Sequence, residues 1–287
     1  MKKYKIKSYC KINLSLNVLK KLSNGYHNIR SLITFCDLHD VLLIYKIKSK
    51  CDKISFSGKF KQGIDKKSNT IIKTLHLLRK NKFLKEQAFK INVQKNIPHG
   101  SGLGGGSSNA AAVLNFFNST MNLKLDKNAR IKIAKQIGFD TPISLEKKNT
   151  ILTGKKDEIL RLKQKFKLNA LIVYPNIICS TKKIYIKNKK ISLSKPQSNY
   201  FIKDKKKLIE FLKNENNDLE RIAIKLYPKI RKIIDFIKVQ NGCCFSRITG
   251  SGSACIGIFS NMQSAFYAQK AVKLKFPNYW SAVSRTI

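Results

Sequence analysis

The strongest constraint on the fold is a run of five glycines within Gly100–Gly106, which passes directly into the helix-forming stretch Ser107-Ser-Asn-Ala-Ala-Ala-Val-Leu114. Glycine adopts left-handed backbone angles at no steric cost, so such a run can turn tightly and present bare N–H groups. At the start of a helix those groups meet the positive end of the helix dipole, which makes an anion site. A flexible linker would seldom lead straight into helix sequence. Two familiar phosphate loops can be set beside this one. The P-loop needs Lys and then Ser or Thr after its second glycine, whereas Gly106 and Ser107 follow Gly105 here. The dinucleotide fingerprint G-x-G-x-x-G does match at Gly100, Gly102 and Gly105, and Asp126 stands near the place of its ribose-binding acid. Its context is wrong, because Met121-Asn-Leu-Lys-Leu125 is short for the strand that should end at that acid and Asp126 reads as a helix cap. A nicotinamide-dependent oxidoreductase is therefore a weak reading.

Around the loop, apolar and polar residues alternate over Tyr4–Val18 and Val41–Ile54, and Ala88–Ile97 reads as a further strand closed by Pro98. Asn69 is placed to cap a helix through Ile71, Ile72, Leu75, Leu77 and Leu78, and Asp126 to cap another over Ala129–Ile137 that Gly138 ends. The cluster Thr153-Gly-Lys-Lys-Asp157 replaces apolar periodicity with turn formers and charge, so it is expected to join two domains, residues 1–154 and 155–287. Beyond it, Leu168–Tyr174 reads as a strand, Leu208–Leu212 and Leu219–Ile237 as helices, and Phe245–Phe259 as strand, glycine turn and strand. Lys187–Lys207 reads as a surface excursion. Strands and helices mixed in this way predict an α+β class, and 287 residues suffice for two separate cores.

Composition removes other classes. Apolar stretches such as Ala170–Tyr174 and Ala254–Phe259 are far shorter than the ~20 residues a bilayer span needs. The start alternates charge with other residues and leads into no apolar segment with a cleavage site, so a cytoplasmic protein without a membrane partner is expected. Seven cysteines form no Cys-x-x-Cys pair, and the four histidines lack metal-ligand spacing. Each cysteine is expected to be a small buried residue in a reducing compartment. The net charge of +42 is the one compositional feature that suggests nucleic acid. Only eight of the 58 basic residues are Arg, however, and the lysines run from Lys2 to Lys275 rather than forming one tail. A solvated lysine surface that attracts anionic nucleotides, with no specific nucleic acid, fits that distribution.

The stretch Pro98-His-Gly-Ser-Gly-Leu-Gly-Gly-Gly-Ser-Ser-Asn-Ala-Ala111 resembles the phosphate loop P-x-x-x-G-L-G-(G/S)-(G/S)-S-(S/A) of the galactokinase, homoserine kinase, mevalonate kinase and phosphomevalonate kinase (GHMP) superfamily. Lys11-Ile-Asn-Leu14, Asn24-Gly-Tyr-His27, Gly138-Phe-Asp-Thr-Pro142 and Thr249-Gly-Ser-Gly252 are similar, in order and spacing, to motifs of its 4-diphosphocytidyl-2-C-methyl-D-erythritol kinase family. The resemblance implies a two-domain GHMP fold: an N-terminal, ATP-binding, ribosomal-protein-S5-like domain and a C-terminal ferredoxin-like α/β sandwich. It also implies ATP-dependent phosphorylation of the erythritol 2-hydroxyl in the methylerythritol phosphate route to isoprenoid precursors, with ATP and Mg²⁺ as cofactors.

Roles follow by matching positions. Asp140 matches the base that takes the hydroxyl proton. Lys11 matches the lysine that keeps it ionised and offsets charge on the phosphoryl oxygens. ATP binding falls to Pro98, Gly100, Ser101, Gly102, Leu103, Gly104, Gly105, Gly106, Ser107 and Ser108, with Asn69 near the base. Tyr26, His27 and Tyr185 match the cytidine pocket, although Asn-Gly before Tyr26 would by itself suggest a plain hairpin turn. Asn13 and Thr181 match polar substrate positions. The sequence departs from the family at Cys10, Ser101 and Thr153–Asp157, and no acid follows the loop to hold Mg²⁺, so Ser107 or Ser108 is expected to serve through phosphate and water. Two alternatives stay open: a GHMP kinase with another small alcohol acceptor, and an RNA-binding module. The oligomeric state, monomer or homodimer, is also open.

Overall fold

The structure, a computed structural model, describes residues 2–23, 26–65, 67–84, 86–153, 158–189, 191–192, 202 and 204–287. In chain order its elements are β1 (Lys3–Asn13), β2 (Asn17–Lys21), β3 (His27–Ile47), β4 (Lys53–Ser57), α1 (Thr70–Lys80), β5 (Ala88–Gln94), α2 (Gly105–Thr120), α3 (Lys127–Ile137) and α4 (Thr141–Ser144). They continue with β6 (Thr150–Thr153), β7 (Glu158–Arg161), β8 (Asn169–Tyr174), α5 (Thr181–Lys187), α6 (Lys205–Lys213), α7 (Glu220–Leu226), α8 (Lys229–Lys238), β9 (Cys243–Ile248), β10 (Cys255–Phe259), α9 (Met262–Lys275) and β11 (Trp280–Arg285). The chain divides into two compact units whose segments interleave: residues 1–11, 38–99 and 104–147, and residues 12–37, 100–103 and 148–287. Gly154–Asp157, at the expected junction, and much of Lys187–Lys207 lie outside the described residues.

In the first unit β4 runs parallel to β5, with Lys53 opposite Lys90, and α1 provides the crossover that parallel neighbours require. The other edge of β5 pairs antiparallel with Val41–Ile47 of β3. The strand expected over Val41–Ile54 is divided by a bend at residues 48–51. The divide is anchored by Asp52, whose carboxylate takes the fork of Arg79 at 2.6 and 3.0 Å and the N–H of Phe89 at 2.9 Å. Helix α1 starts where Asn69 Oδ1 accepts the N–H groups of Ile71 and Ile72, 3.1 Å each. Asp126 caps α3 through Ala129 N–H at 2.7 Å, and Gly138 is the C-cap, as the sequence predicts. The apolar faces of α1, α2 and α3 bury Leu75, Leu78, Leu114, Phe117 and Ile133 against Leu42, Ile44, Ile91 and Val93 of the strands. Each such large side chain stabilises the unit by roughly 1.5–3 kcal/mol.

The second unit contains an antiparallel sheet in the order β11-β8-β10-β9. Numbered along the chain this is fourth, first, third, second, with α8 before β9 and α9 before β11: the β-α-β-β-α-β pattern of a ferredoxin-like sandwich. All six residues of β8 are buried, which accounts for its unbroken run Ala-Leu-Ile-Val-Tyr. Leu171, Val173, Ile233, Ile237, Ala268 and Val272 lie in the core of this unit. The helical stretch from Leu219 is split at Pro228, which stands as N-cap of α8, a place where its missing N–H costs nothing.

Four cysteines, Cys10, Cys36, Cys179 and Cys255, are buried as expected, while Cys51 is exposed and Cys243 and Cys244 are half-buried near chain turns. Among the described residues no helix is long and apolar enough to cross a membrane.

Candidate active site

The glycine run uses its conformational freedom at alternate positions. Gly100, Gly102 and Gly104 have φ of 65°, 84° and 68°, all left-handed. All three also lie against a neighbour that a side chain would have to displace, which for Gly100 is Ile178 Cγ2 at 2.9 Å. A Cβ on Gly102 would stand 2.5 Å from the Thr249 carbonyl oxygen, and one on Gly104 would stand 2.8 Å from Cγ of Lys11. Helix α2 begins at Gly105 with neither a side-chain cap hydrogen bond nor an acid in its first turn, so no side chain of that turn offsets the positive end of its dipole. That is the arrangement an anionic phosphate chain fits. Pro98 and Leu103 are buried and pin the loop, Ser107 is half-buried, and Ser108 is buried with its hydroxyl 3.2 Å from that of Ser144.

In the first unit, Lys11 at the end of β1 directs its ammonium to Asp140, with Nζ 3.4 Å from Oδ2. The lysine side chain is 4% exposed and the aspartate 42%. Asp140 stands at the N-cap position of α4 yet makes no capping hydrogen bond, which leaves its carboxylate available to a ligand. The turn carrying it lies beside the loop, since a Cβ on Gly138 would be 4.0 Å from Ser107 Oγ. Asn69 spends its side chain on capping α1 and on the Asp65 carbonyl at 3.0 Å. Its neighbour Thr70 donates to the carbonyl of Gly106 at 2.8 Å, which sets the start of α1 against the start of α2.

In the second unit, the turn Thr249–Gly252 gathers several of the predicted positions. Its Thr249 hydroxyl accepts the N–H of Asn13 at 2.8 Å, and the Asn13 amide donates to Ser31 Oγ at 2.7 Å. Ser251 shares a 2.8 Å hydrogen bond with Thr181, and Ala254 N–H donates to the carbonyl of Ser101 at 3.0 Å. Elsewhere in this unit, the hairpin of β2 and β3 pairs Lys21 with His27, and Leu22 N–H closes it on the Tyr26 carbonyl at 2.8 Å. The plain hairpin reading is thus present, but the hairpin also serves an aromatic site: the His27 and Tyr185 rings lie 5.2 Å apart, tilted by 36°. Tyr26 is 54% exposed at the hairpin tip. Burial, and then the charge of Lys21, hold His27 below the ordinary histidine value, so its imidazole is neutral near pH 7.

Sequence reasoning missed Asp40, Lys95 and Asn109, which meet in a buried hydrogen-bonded group beneath the loop. The lysine was lost among the many solvated ones, since it stands between the polar Gln94 and Asn96 and nothing local marks it as buried. Among the described residues no group of three His, Cys, Asp or Glu could hold a metal ion.

Residues 69–147 match the family model for the N-terminal domain of GHMP kinases, and residues 202–278 match that for the GHMP kinase C-terminal region. The chain is 43% identical to the 4-diphosphocytidyl-2-C-methyl-D-erythritol kinase of Pelagibacter ubique (strain HTCC1062), over 100% of both chains. It is 34% identical to the enzyme of that name from Caldicellulosiruptor saccharolyticus (strain ATCC 43494 / DSM 8903 / Tp8T 6331), over 94% of this chain and 92% of the other. A crystal structure of a 4-(cytidine 5'-diphospho)-2C-methyl-D-erythritol kinase superposes with a TM-score of 0.78 at 22% identity, covering 98% of this chain and 99% of that one. The homoserine kinase of Cytophaga hutchinsonii ATCC 33406 superposes with a TM-score of 0.74 at 18% identity, covering 100% and 95%. At these identities the superpositions establish the fold alone.

Proposed function

The chain belongs to the 4-diphosphocytidyl-2-C-methyl-D-erythritol kinase family of the GHMP small-molecule kinases, and from that premise we propose that it transfers the γ-phosphate of ATP to the 2-hydroxyl of 4-diphosphocytidyl-2-C-methyl-D-erythritol. The reaction is a step of the methylerythritol phosphate route to isoprenoid precursors, run by a cytoplasmic enzyme on small-molecule substrates. The observation that carries the reading is the Lys11 ammonium 3.4 Å from an Asp140 carboxylate that is not consumed by helix capping. Asp140 accepts the proton of the 2-hydroxyl as its oxygen bonds to the γ-phosphorus and the bond to the ADP oxygen breaks. Lys11, ion-paired with Asp140, orients that carboxylate and offsets negative charge that builds on the transferring group. The backbone N–H groups of Gly104–Ser107, at the open start of α2, hold the phosphates, with Pro98–Leu103 forming the rest of the loop and Asn69 near the base. His27 and Tyr185 take the cytosine between an aromatic face and a neutral imidazole, with Tyr26 beside them, and Asn13 and Thr181 bind polar groups of the acceptor.

When bound, Mg²⁺ would neutralise phosphate charge in such a transfer. The half-buried Ser107 hydroxyl, or that of Ser108, in the first turn of α2 would serve the ion through phosphate and water. The proposal carries the domain division 1–154 and 155–287, which the family matches at 69–147 and 202–278 support.

Release of ADP on mixing the purified protein with ATP, Mg²⁺ and the cytidine-linked acceptor tests the activity, with Asp140→Asn expected to stop turnover while ATP still binds. An Asp140→Asn protein with undiminished turnover rejects the mechanism. A sibling kinase acting on homoserine, mevalonate or a sugar would have no use for the His27 and Tyr185 pair. Tyr185→Ala therefore separates the two: a rise in acceptor KM of about tenfold, the size of one lost base stack, supports the cytidine reading, and no change favours the sibling.

A further inference from the structure

Asp40, on β3, is 0% exposed and belongs to the first unit together with every partner named below. Its Oδ1 accepts the backbone N–H groups of Asn96 at 2.7 Å and Ile97 at 2.9 Å. Its Oδ2 accepts the side-chain amide of Asn109 at 3.1 Å and pairs with the ammonium of Lys95. Asn96 adds a second tie to β3 by donating its amide to the carbonyl of His39 at 2.9 Å. Asn96 and Ile97 are the last residues before the loop, and Asn109 is in the second turn of the helix that ends it. One buried carboxylate thus grips the entry of the glycine loop with one oxygen and its exit with the other. The Lys95 ammonium reaches the same junction, since a Cβ on Gly105 would stand 3.3 Å from Nζ and 3.0 Å from Cγ2 of Ile97.

We infer that Asp40 is a positioning residue for nucleotide binding, which sets the separation of the loop's two ends and so the direction of the N–H groups at the start of α2. Stability alone does not account for it. Burying a carboxylate and an ammonium costs desolvation that an apolar pair of similar volume would avoid, and such replacements often leave a protein equally stable. What an apolar pair cannot supply is acceptor geometry for two consecutive backbone N–H groups and a helix side chain at once. A flexible glycine segment gains most from that, because its own φ and ψ angles are weakly restrained.

The inference rests on the reading of the loop as a phosphate site, so the test measures binding of a non-hydrolysable ATP analogue rather than turnover. Titration calorimetry with Mg²⁺ and thermal melting are applied to the unaltered protein, Asp40→Asn and the double variant Asp40→Leu/Lys95→Met. The double variant removes both buried charges but leaves the Asn96 and Ile97 N–H groups and the Asn109 amide without their acceptor, so it is expected to melt lower than the unaltered protein and, at temperatures where it is folded, to bind the analogue at least about tenfold more weakly. Asp40→Asn is expected to bind weakly and also melt lower, and if it fails to fold the double variant decides. Analogue affinity within about twofold of the unaltered protein in the double variant overturns the inference while leaving the proposed function standing. Failure of the unaltered protein to bind the analogue overturns both.

Discussion

The Nζ atom of Lys11 stands 3.4 Å from Oδ2 of Asp140, with the lysine almost wholly enclosed and the carboxylate half open. The aliphatic stem of the same lysine lies where a side chain on Gly104 would have to go. One residue therefore touches both the Asp140 carboxylate and the loop. Replacing it by methionine keeps the stem and removes the charge. Lys11→Met is expected to lower kcat by roughly 10²- to 10³-fold, the range for losing one preorganised charge at the transferring group. The Kd for ATP should change far less. Steady-state kinetics beside equilibrium nucleotide binding check the split, and a kcat within threefold of the unaltered enzyme would contradict it.

Gly104→Ala acts on the loop from the other side. The residue sits at φ 68°, and an added Cβ would be 2.8 Å from Lys11 Cγ. Left-handed strain alone costs about 1–2 kcal/mol for an L-residue, and the contact must also push Lys11 away from its place beside Asp140. The expected result is a fall in both thermal stability and kcat, with kcat falling further than the melting temperature explains. Gly106→Ala is the comparison. That residue is exposed, its φ is not positive, and an added Cβ would come no nearer than 3.6 Å to Thr70. It should melt like the unaltered protein.

If His27 binds the acceptor as proposed, acceptor binding is expected to depend on pH. Its proton is held less tightly than in an ordinary histidine, whose value is 6.5, because of burial first and Lys21 second. The neutral ring therefore persists somewhat below 6.5, and protonation sets in only as pH falls further. A cationic imidazole offers no acceptor nitrogen to the base. The acceptor KM should rise on the acid side while the ATP KM stays level, and His27→Gln should flatten that rise. The same sign applies to stability: the contribution of keeping this ring neutral is present above 6.5 and lost as pH falls through the lowered value. Acceptor KM measured between pH 5 and pH 8 provides the check.

Thr249 holds the C-terminal turn to Asn13 across 236 positions of sequence. Its hydroxyl is fully buried and accepts the Asn13 backbone N–H, so Thr249→Ala leaves that donor without its partner. A buried unsatisfied group costs about 1–3 kcal/mol. Thr249→Ala is expected to lose that much by denaturant melts and to weaken acceptor binding, whereas Thr249→Ser keeps the hydroxyl and should recover most of both.

Features that depend on neighbouring residues were legible from the chain alone. The left-handed glycines, the Asn69 and Asp126 caps, the Gly138 stop and the buried run of β8 each follow from local backbone preference or short-range periodicity. Elements with weak local signals escaped. Helix α9 buries only small residues such as Ala265, Ala268 and Val272, and β11 is mostly half-buried, so neither carries a strong apolar period. The first half of β3, from His27, mixes polar and apolar residues because its pairing changes along its length.

The motif resemblance named Lys11 and Asp140, Asn13 and the turn at Thr249, and His27 and Tyr185, but it could not say which atoms meet. Those contacts join residues far apart in the chain, and only tertiary packing sets their distances. The Asp40 group is the clearest case. Nothing local distinguishes Asp40 or Lys95 from the other acids and lysines of a strongly basic chain, and it is their burial at 0% and 2% exposure that makes one carboxylate the tie between the two ends of the loop.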